Sequence, residues 1–203
     1  MESIIIFPST YIAFSIFYTS YILSKKCGIS DSISKTIPSL SHSIISTLLS
    51  LYAMVFYNNS NYYLTCSIMF GYFLSDSIHS IQEIRKPGRK ELLAHHLFSM
   101  FALVIPPNYW ILYAIFLTEC SNIPGQITYV LIKVNYKKSI IMKSKKYQYW
   151  FFLIGRIVLL PFVFNLPRGN LTNIHLNIMY FVFVMIYLMS FFWMVKLHIG
   201  YYK

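Results

Sequence analysis

The chain has 203 residues, 57% of them hydrophobic and 11% charged, with a mean hydropathy of +0.56. A soluble domain of that length has too little interior to hide so much apolar surface, which leaves a polytopic membrane protein as the class. The formal net charge of +11 falls in short links between apolar runs, and this excludes the continuous basic face of a nucleic-acid-binding domain.

Residues 4–23 form the first apolar run, long enough for a bilayer span of about 20 residues. Glu2 precedes it and Lys25 and Lys26 follow it. That order is the reverse of a secretory signal, so the run reads as a retained helix with its N-terminus outside. A polar link, 24–39, leads to a second span at 40–57, a short turn at 58–61 and a third span at 62–81. Residues 82–90 make a basic link with Pro87 and Gly88 as its turn signal. The fourth span, 91–105, is short and is closed by Pro106 and Pro107. The fifth, 109–134, carries Glu119 and Pro124, and Pro124 predicts a kink by leaving the Cys120 carbonyl without its helical partner. A second basic link, 135–146, precedes the sixth span at 147–166, and the seventh occupies 174–199.

Lys and Arg concentrate in alternate links. Lys25, Lys26 and Lys35 fall in the first; Arg85, Lys86, Arg89 and Lys90 in the third; Lys133, Lys137, Lys138, Lys143, Lys145 and Lys146 around the fifth; Lys196 and Lys203 at the C-terminal end. The second and fourth links have none and the sixth has Arg168. This alternation is what the positive-inside rule asks of seven spans with the N-terminus outside and the C-terminus in the cytosol. The sequons Asn58-Asn59-Ser60 and Asn170-Leu171-Thr172 both fall in links assigned to the outside. Cys27, Cys66 and Cys120 are scattered without C-x-x-C spacing, so neither a disulfide framework nor a zinc site follows.

On this topology the ionisable residues share a depth, in the middle and cytosolic half of one bundle. His42 opens span two; Asp76 and His79 lie late in span three; His95 and His96 lie just over a turn into span four; Glu119 and Arg156 are near the middles of spans five and six. Such residues are costly to place in a membrane and mark functional interiors. Tyr72, Asp76, His79 and Glu83 follow i, i+4, i+7, i+11 spacing and form one stripe. Glu119, Asn122 and Gln126 form a second, and His42, Ser46 and Ser50 a third. About 100° separates His95 from His96 around the helix, so one can face a cavity while the other meets a neighbouring helix. Structural readings stand beside these: His42 as a packing histidine, Asp76 and Arg156 as an intramembrane ion pair, Glu119 as a hydrogen-bonded acid.

At these residues the sequence resembles the TLC-domain family, which includes ceramide synthases, translocon-associated TRAM proteins and small TLC-domain proteins. The matching stretches are Ser41-His42-Ser43, GYFLSD at 71–76, AHH at 94–96, ECSNIP at 119–124 and GRIVLLP at 155–161. Their order and spacing run over 40–199, and ECSNIP looks most like an element of the small TLC-domain proteins. The resemblance implies an all-α fold: one N-terminal helix with its link (1–39), then a six-helix TLC barrel (40–203) around a polar cavity open to the cytosol. It implies His95, His96 and Asp76 as catalytic candidates, and His42, His79, Glu119, Asn122 and Arg156 as substrate-binding ones. It also implies the endoplasmic reticulum membrane, no bound cofactor, and membrane lipids, a long-chain acyl-CoA co-substrate and a sphingoid base as partners. The chain departs from the ceramide synthases in having no acidic Asp-Asp tract after span five and no extended cytosolic segment.

Three functions follow, and the sequence alone does not decide between the first two. The first is an acyl-CoA-dependent lipid N-acyltransferase using the histidine pair, with an imidazole as general base or acyl carrier. The second is a non-enzymatic lipid-binding regulator of membrane composition. The third is a proton-coupled transporter, ranked last because no inverted repeat is visible.

Overall fold

The computed structural model describes residues 3–166 and 171–202; Glu2, Arg168 and the sequon acceptor Asn170 lie outside the described residues. Among the described residues all regular structure is helical. The helices are α1 (Ser3–Lys26), α2 (Asp31–Val55), α3 (Asn59–Gln82), α4 (Arg89–Leu103), α5 (Tyr109–Lys133), α6 (Lys138–Phe152) and α7 (Asn173–Tyr202). Behind α6 the chain continues without a break through a π-helical stretch, Leu153–Leu159, and a 3-10 stretch, Leu160–Asn165.

The rods Asp31–Val55, Lys138–Asn165 and Asn173–Gly200 combine the length and the hydropathy needed to cross a membrane. Helices α1, α3 and α5, of 24, 24 and 25 residues, reach about 36 Å. The 15 residues of α4 reach only about 22 Å.

Two links expected to be irregular are largely helix. Helix α2 starts at Asp31, not near residue 40, because the Asp31 carboxylate sits in the first turn and Lys35 reaches it one turn on at 2.6 Å. Helix α6 starts at Lys138, after a turn through Asn135 with φ of 50°. Lysine ends a hydropathy window but forms helix well, so the helix runs past the apolar segment.

Packing closes the helices into a ring. Helix α2 lies against α3, α3 against α4, α4 against α7, α7 against α6, α6 against α5, and α5 back against α2. Helix α1 sits outside it, along α3 and α2. The α1–α3 contact is close because Gly71 has no side chain: a Cβ there would lie 2.6 Å from the Thr10 carbonyl oxygen and 2.8 Å from the Ala13 Cβ. Ser67 and Ser75, one turn to either side, are buried too, giving the small-residue stripe that lets membrane helices approach.

Helix α2 is polar inside and apolar outside. His42, Ser43, Ser46 and Ser50 are buried, while Ile44, Ile45, Leu48, Leu51 and Val55 face outward. A bilayer offers hydroxyls no partner, so this inversion of the soluble pattern is the stable one.

The end of the ring away from the basic links is sealed by apolar packing. Trp110 is fully buried and its Nε1 donates to the Leu166 carbonyl at 2.9 Å, while the Tyr62 hydroxyl donates to the Ile105 carbonyl at 3.0 Å. In the irregular stretch behind α6, Pro161 has no N–H to offer the Ile157 carbonyl four residues earlier. Tyr187 of α7 donates its hydroxyl to that oxygen at 3.3 Å.

Candidate functional site

In the half of the ring nearest the basic links, α2, α3, α4, α5, the π-helical stretch and α7 turn polar side chains inward around a chamber of about 100 Å³. At about 30 Å³ per molecule of liquid water, that is room for roughly three waters, or for one small polar group of a larger ligand. His42, His95, His96, Glu119, Asn122 and Arg156 all line it.

Each is held by a neighbour from another helix. His42 stacks on Tyr72 of α3, with ring centres 3.7 Å apart, and its Nδ1 lies 3.2 Å from the Ser46 hydroxyl. Its Nε2 points toward Glu119 Oε2 at 3.7 Å, beyond hydrogen-bond reach. Glu119 is 3% exposed, and its Oε2 accepts from the Ser43 hydroxyl at 2.8 Å and from Asn122 Nδ2 at 3.3 Å. Asn122 also accepts Arg156 Nη2 at 2.7 Å through its Oδ1, so one amide bridges the carboxylate and the guanidinium. Arg156 further donates to the Ser121 hydroxyl and the Thr118 carbonyl, each at 2.9 Å, and lies over the rings of Phe152 and Trp193. Gly155 makes the approach possible, since a Cβ there would lie 3.3 Å from the Leu117 carbonyl oxygen.

The histidine pair divides as the helix geometry requires. His96 stacks on Phe73 at 4.9 Å, with its Nδ1 3.6 Å from Asp76 Oδ2. His95 turns the other way, edge-on to Trp193 at 5.2 Å. Of four buried imidazole nitrogens without a hydrogen-bond partner among the described residues, three, His42 Nε2, His95 Nδ1 and His96 Nδ1, belong to chamber residues and the fourth is His79 Nε2. Buried polar atoms are rarely left so, and where several share one cavity they mark it as a place for a ligand or water.

The chamber is not isolated. On one side it shares Ser39, Tyr72, Leu92 and Gln126 with an open basin of about 400 Å³ at the basic end, lined also by Lys35, Asp76, Glu83 and Arg89. On the other, past His95, Glu119 and Phe73, it meets a narrow apolar cleft of about 40 Å³ running between α4 and α5 along Ser99, Ile111 and Ile115. A polar chamber between a wet mouth and a dry cleft suits an amphiphile whose reacting atoms sit at the join.

Two readings need revision. His79 belongs to the same sequence stripe as Asp76, but the structure places it away from the chamber. It lies about 60° round from Asp76, toward the Gly71 side, and packs against Tyr18 and Tyr21 of α1 at 5.4 and 4.2 Å. Nor do Asp76 and Arg156 pair: Arg156 is taken up by Asn122, Ser121 and Thr118, and Asp76 lies against His96. Trp193, which touches both His95 and Arg156, carries no signal in the sequence, because one aromatic in a wholly apolar helix looks like packing. Tyr72 and Gln126 lie on the polar stripes and do line the chamber. Among the described residues no three His, Cys, Asp or Glu side chains converge in a metal-holding arrangement.

A ring of apolar-faced helices around buried histidines, acids and an arginine defines an integral membrane protein with a polar interior. The family model for the TLC domain matches residues 5–198, and the chain belongs to that family. The match takes in α1 as well as the six-helix ring. No curated protein and no solved structure matches the chain.

Proposed function

We propose that the protein is a multi-pass enzyme of lipid metabolism in the endoplasmic reticulum membrane that transfers an acyl group from acyl-CoA to the amine of a sphingoid or related lipid. All seven helices cross the bilayer, with the N-terminus outside and the basic links in the cytosol, as the alternation of Lys and Arg supports. The six-helix ring is the catalytic domain and α1 its outer brace. The observation that carries this reading is the pair of buried histidines, His95 and His96, whose Nδ1 atoms accept or donate no hydrogen bond among the described residues in a chamber that joins a polar mouth to an apolar cleft.

The chemistry follows from the surroundings. His96 has the Asp76 carboxylate 3.6 Å from its Nδ1, so a positive charge on its ring is offset there, as a general base requires. It takes the proton of the attacking amine as the C–N bond forms; when the tetrahedral intermediate collapses, the C–S bond breaks with its electron pair leaving on sulfur, and the His96 imidazolium returns the proton to give the free thiol. His95 lies at the entrance of the apolar cleft, where it borders the acyl chain. Arg156 and Asn122 supply donors for the oxygen that becomes negative in the tetrahedral intermediate. His42 and Glu119 contact the polar end of the acceptor.

The test is amide formation by purified protein in lipid nanodiscs supplied with long-chain acyl-CoA and sphingoid base, read by mass spectrometry. Wild type is expected to form amide, and the His95→Ala/His96→Ala variant to lose at least a hundredfold in rate while keeping its thermal midpoint. Wild type that forms neither amide nor a histidine acyl adduct would sink the enzyme reading. One observation favours the alternative, a lipid-binding regulator without turnover: α5 and α6 are joined by a four-residue turn, 134–137, holding no acid, where ceramide synthases carry their acidic tract. On that reading the double-alanine variant retains its effect on membrane lipid composition.

A further inference from the structure

Glu83 ends α3 at the mouth of the basin and gathers more positive charge than one carboxylate can balance. Lys35 Nζ lies 2.6 Å from its Oε1, Lys86 Nζ meets the same oxygen, and Arg89 Nη2 is 2.9 Å from Oε2. The cations arrive from three places: α2, the α3–α4 link and the first turn of α4. Asp31 takes a share of Lys35 at 2.6 Å. For Lys86 and Arg89, Glu83 is the one ion-pair partner among the described residues.

The fit is imperfect in ways that point to another anion. Although Arg89 is close, Glu83 Oε2 is buried and accepts no properly directed hydrogen bond. The guanidinium is therefore not using its two-pronged donor geometry. Helix α4 opens with Arg89 and Lys90 behind Gly88, which has φ of 81° and no capping side chain. Glu91 supplies one acid to that first turn, so the helix end carries two cations, which oppose the macrodipole, against one anion. A carboxylate brings one charge and two oxygens to three cations. A phosphate monoester brings between one and a half and two charges at neutral pH and three strong acceptors, by the usual second ionisation near 6.

We propose that this corner of the basin binds a phosphate group through Lys35, Lys86 and Arg89, and that Glu83 is the internal anion the phosphate displaces. Asp31 and Asp76 also line the basin and repel an anion, which confines the site to the Glu83 corner. The proposal deepens the acyl-transfer reading, on which it rests for the idea that the phosphate belongs to a co-substrate; the binding itself is tested without turnover. Burial pushes the Glu83 carboxyl up, but hydrogen bonds from Lys35 and Lys86 and the charge of Arg89 bring it down to about 2. Glu83 therefore competes as a fixed charge at neutral pH, and phosphate affinity rises with the ligand's own second ionisation near pH 6.

The experiment uses the full chain in phosphatidylcholine nanodiscs. Inorganic pyrophosphate is titrated by calorimetry in one arm, and native mass spectrometry reads retained phosphatidic acid from mixed-lipid nanodiscs in the other. Glu83→Gln is expected to tighten binding at least tenfold, Arg89→Ala to weaken it at least tenfold, and His95→Ala/His96→Ala to leave it unchanged. A pyrophosphate signal identifies a soluble ligand and a signal confined to the lipid arm identifies a headgroup; either supports the site. Glu83→Gln that binds no better than wild type in both arms overturns it. Where Glu83→Gln does not fold, Lys86→Ala, at a side chain 63% exposed, carries the test, and an affinity equal to wild type overturns the proposal. Because the histidine variant keeps anion binding, loss of acyl transfer and loss of this site are separate results.

Discussion

Arg156 is the residue on which the chamber's polar frame depends. It is 1% exposed and held by Asn122, Ser121 and Thr118, with Asn122 handing the connection on to Glu119. Removing it strands those acceptors and leaves Glu119 without a nearby cation. Arg156→Met is therefore expected to destabilise the protein by about 3 kcal/mol, the order seen when one partner of a buried charged network is deleted. Arg156→Lys keeps the charge but not the planar fork, and falls between. Thermal unfolding in detergent, followed by intrinsic fluorescence, reads both; a Met variant as stable as wild type would remove Arg156 from this role. The gathering of His42, Asp76, His95, His96, Glu119 and Arg156 was legible in the sequence, because an ionisable residue in an apolar run stands out and counting from the nearest link gives its depth, and Asn122 followed from its place on the Glu119 stripe. Their pairing was not. Asn122 and Arg156 are on different helices, and which acceptor a guanidinium finds depends on helix rotations of a few tens of degrees. His79 illustrates the limit: a stripe wide enough to include it is also wide enough to reach a second neighbour, α1.

At the scale of elements, hydropathy located every helix and misplaced two of their starts. The apolar signal measures where a helix can meet lipid, whereas Asp31–Val55 and Lys138–Phe152 begin where ion pairing and lysine's helix preference permit. How closely helices approach is set by single glycines. A Cβ on Gly71 would meet backbone atoms and the Ala13 Cβ of α1 at 2.6–2.8 Å, whereas a Cβ on Gly125 would meet only the end of the Gln148 side chain, at 3.3 Å. Gly71→Ala is thus expected to lose about 1–3 kcal/mol, as over-packed sites do, and Gly125→Ala to be close to neutral; parallel thermal unfolding distinguishes them. The rim adds a pH dependence. Glu83 titrates at about 2 in the folded protein against an ordinary 4.5, so its ion pairs stabilise the fold fully above pH 4.5. That stabilisation is lost as the pH falls from 4.5 toward 2. The midpoint difference between wild type and Glu83→Gln should be constant above pH 5 and shrink below 4.5. A difference that persists unchanged at pH 2.5 would show that the rim does not depend on this ionisation.

At the scale of the whole molecule, the ring joins two asymmetries, one electrostatic and one chemical. The basic links, the open basin and the chamber share one end, while the other is closed by Trp110 and Tyr62. On the acyl-transfer proposal a cytosolic basic end would admit a charged co-substrate from water while its apolar chain continued into the cleft, so orientation decides what the site can receive. Cys27 offers a native probe, because it is exposed in the turn between α1 and α2 at the basic end. In sealed membrane vesicles with the cytosolic face inward, a membrane-impermeant maleimide is expected to leave Cys27 unlabelled until the vesicles are permeabilised. Asn59→Cys in a Cys27→Ser background, at the opposite end and exposed, is expected to react in the intact vesicles. The reverse pattern would invert the topology and turn the basin away from the cytosol. Equal labelling at both positions would place both ends of α2 on one side, which a crossing by Asp31–Val55 forbids.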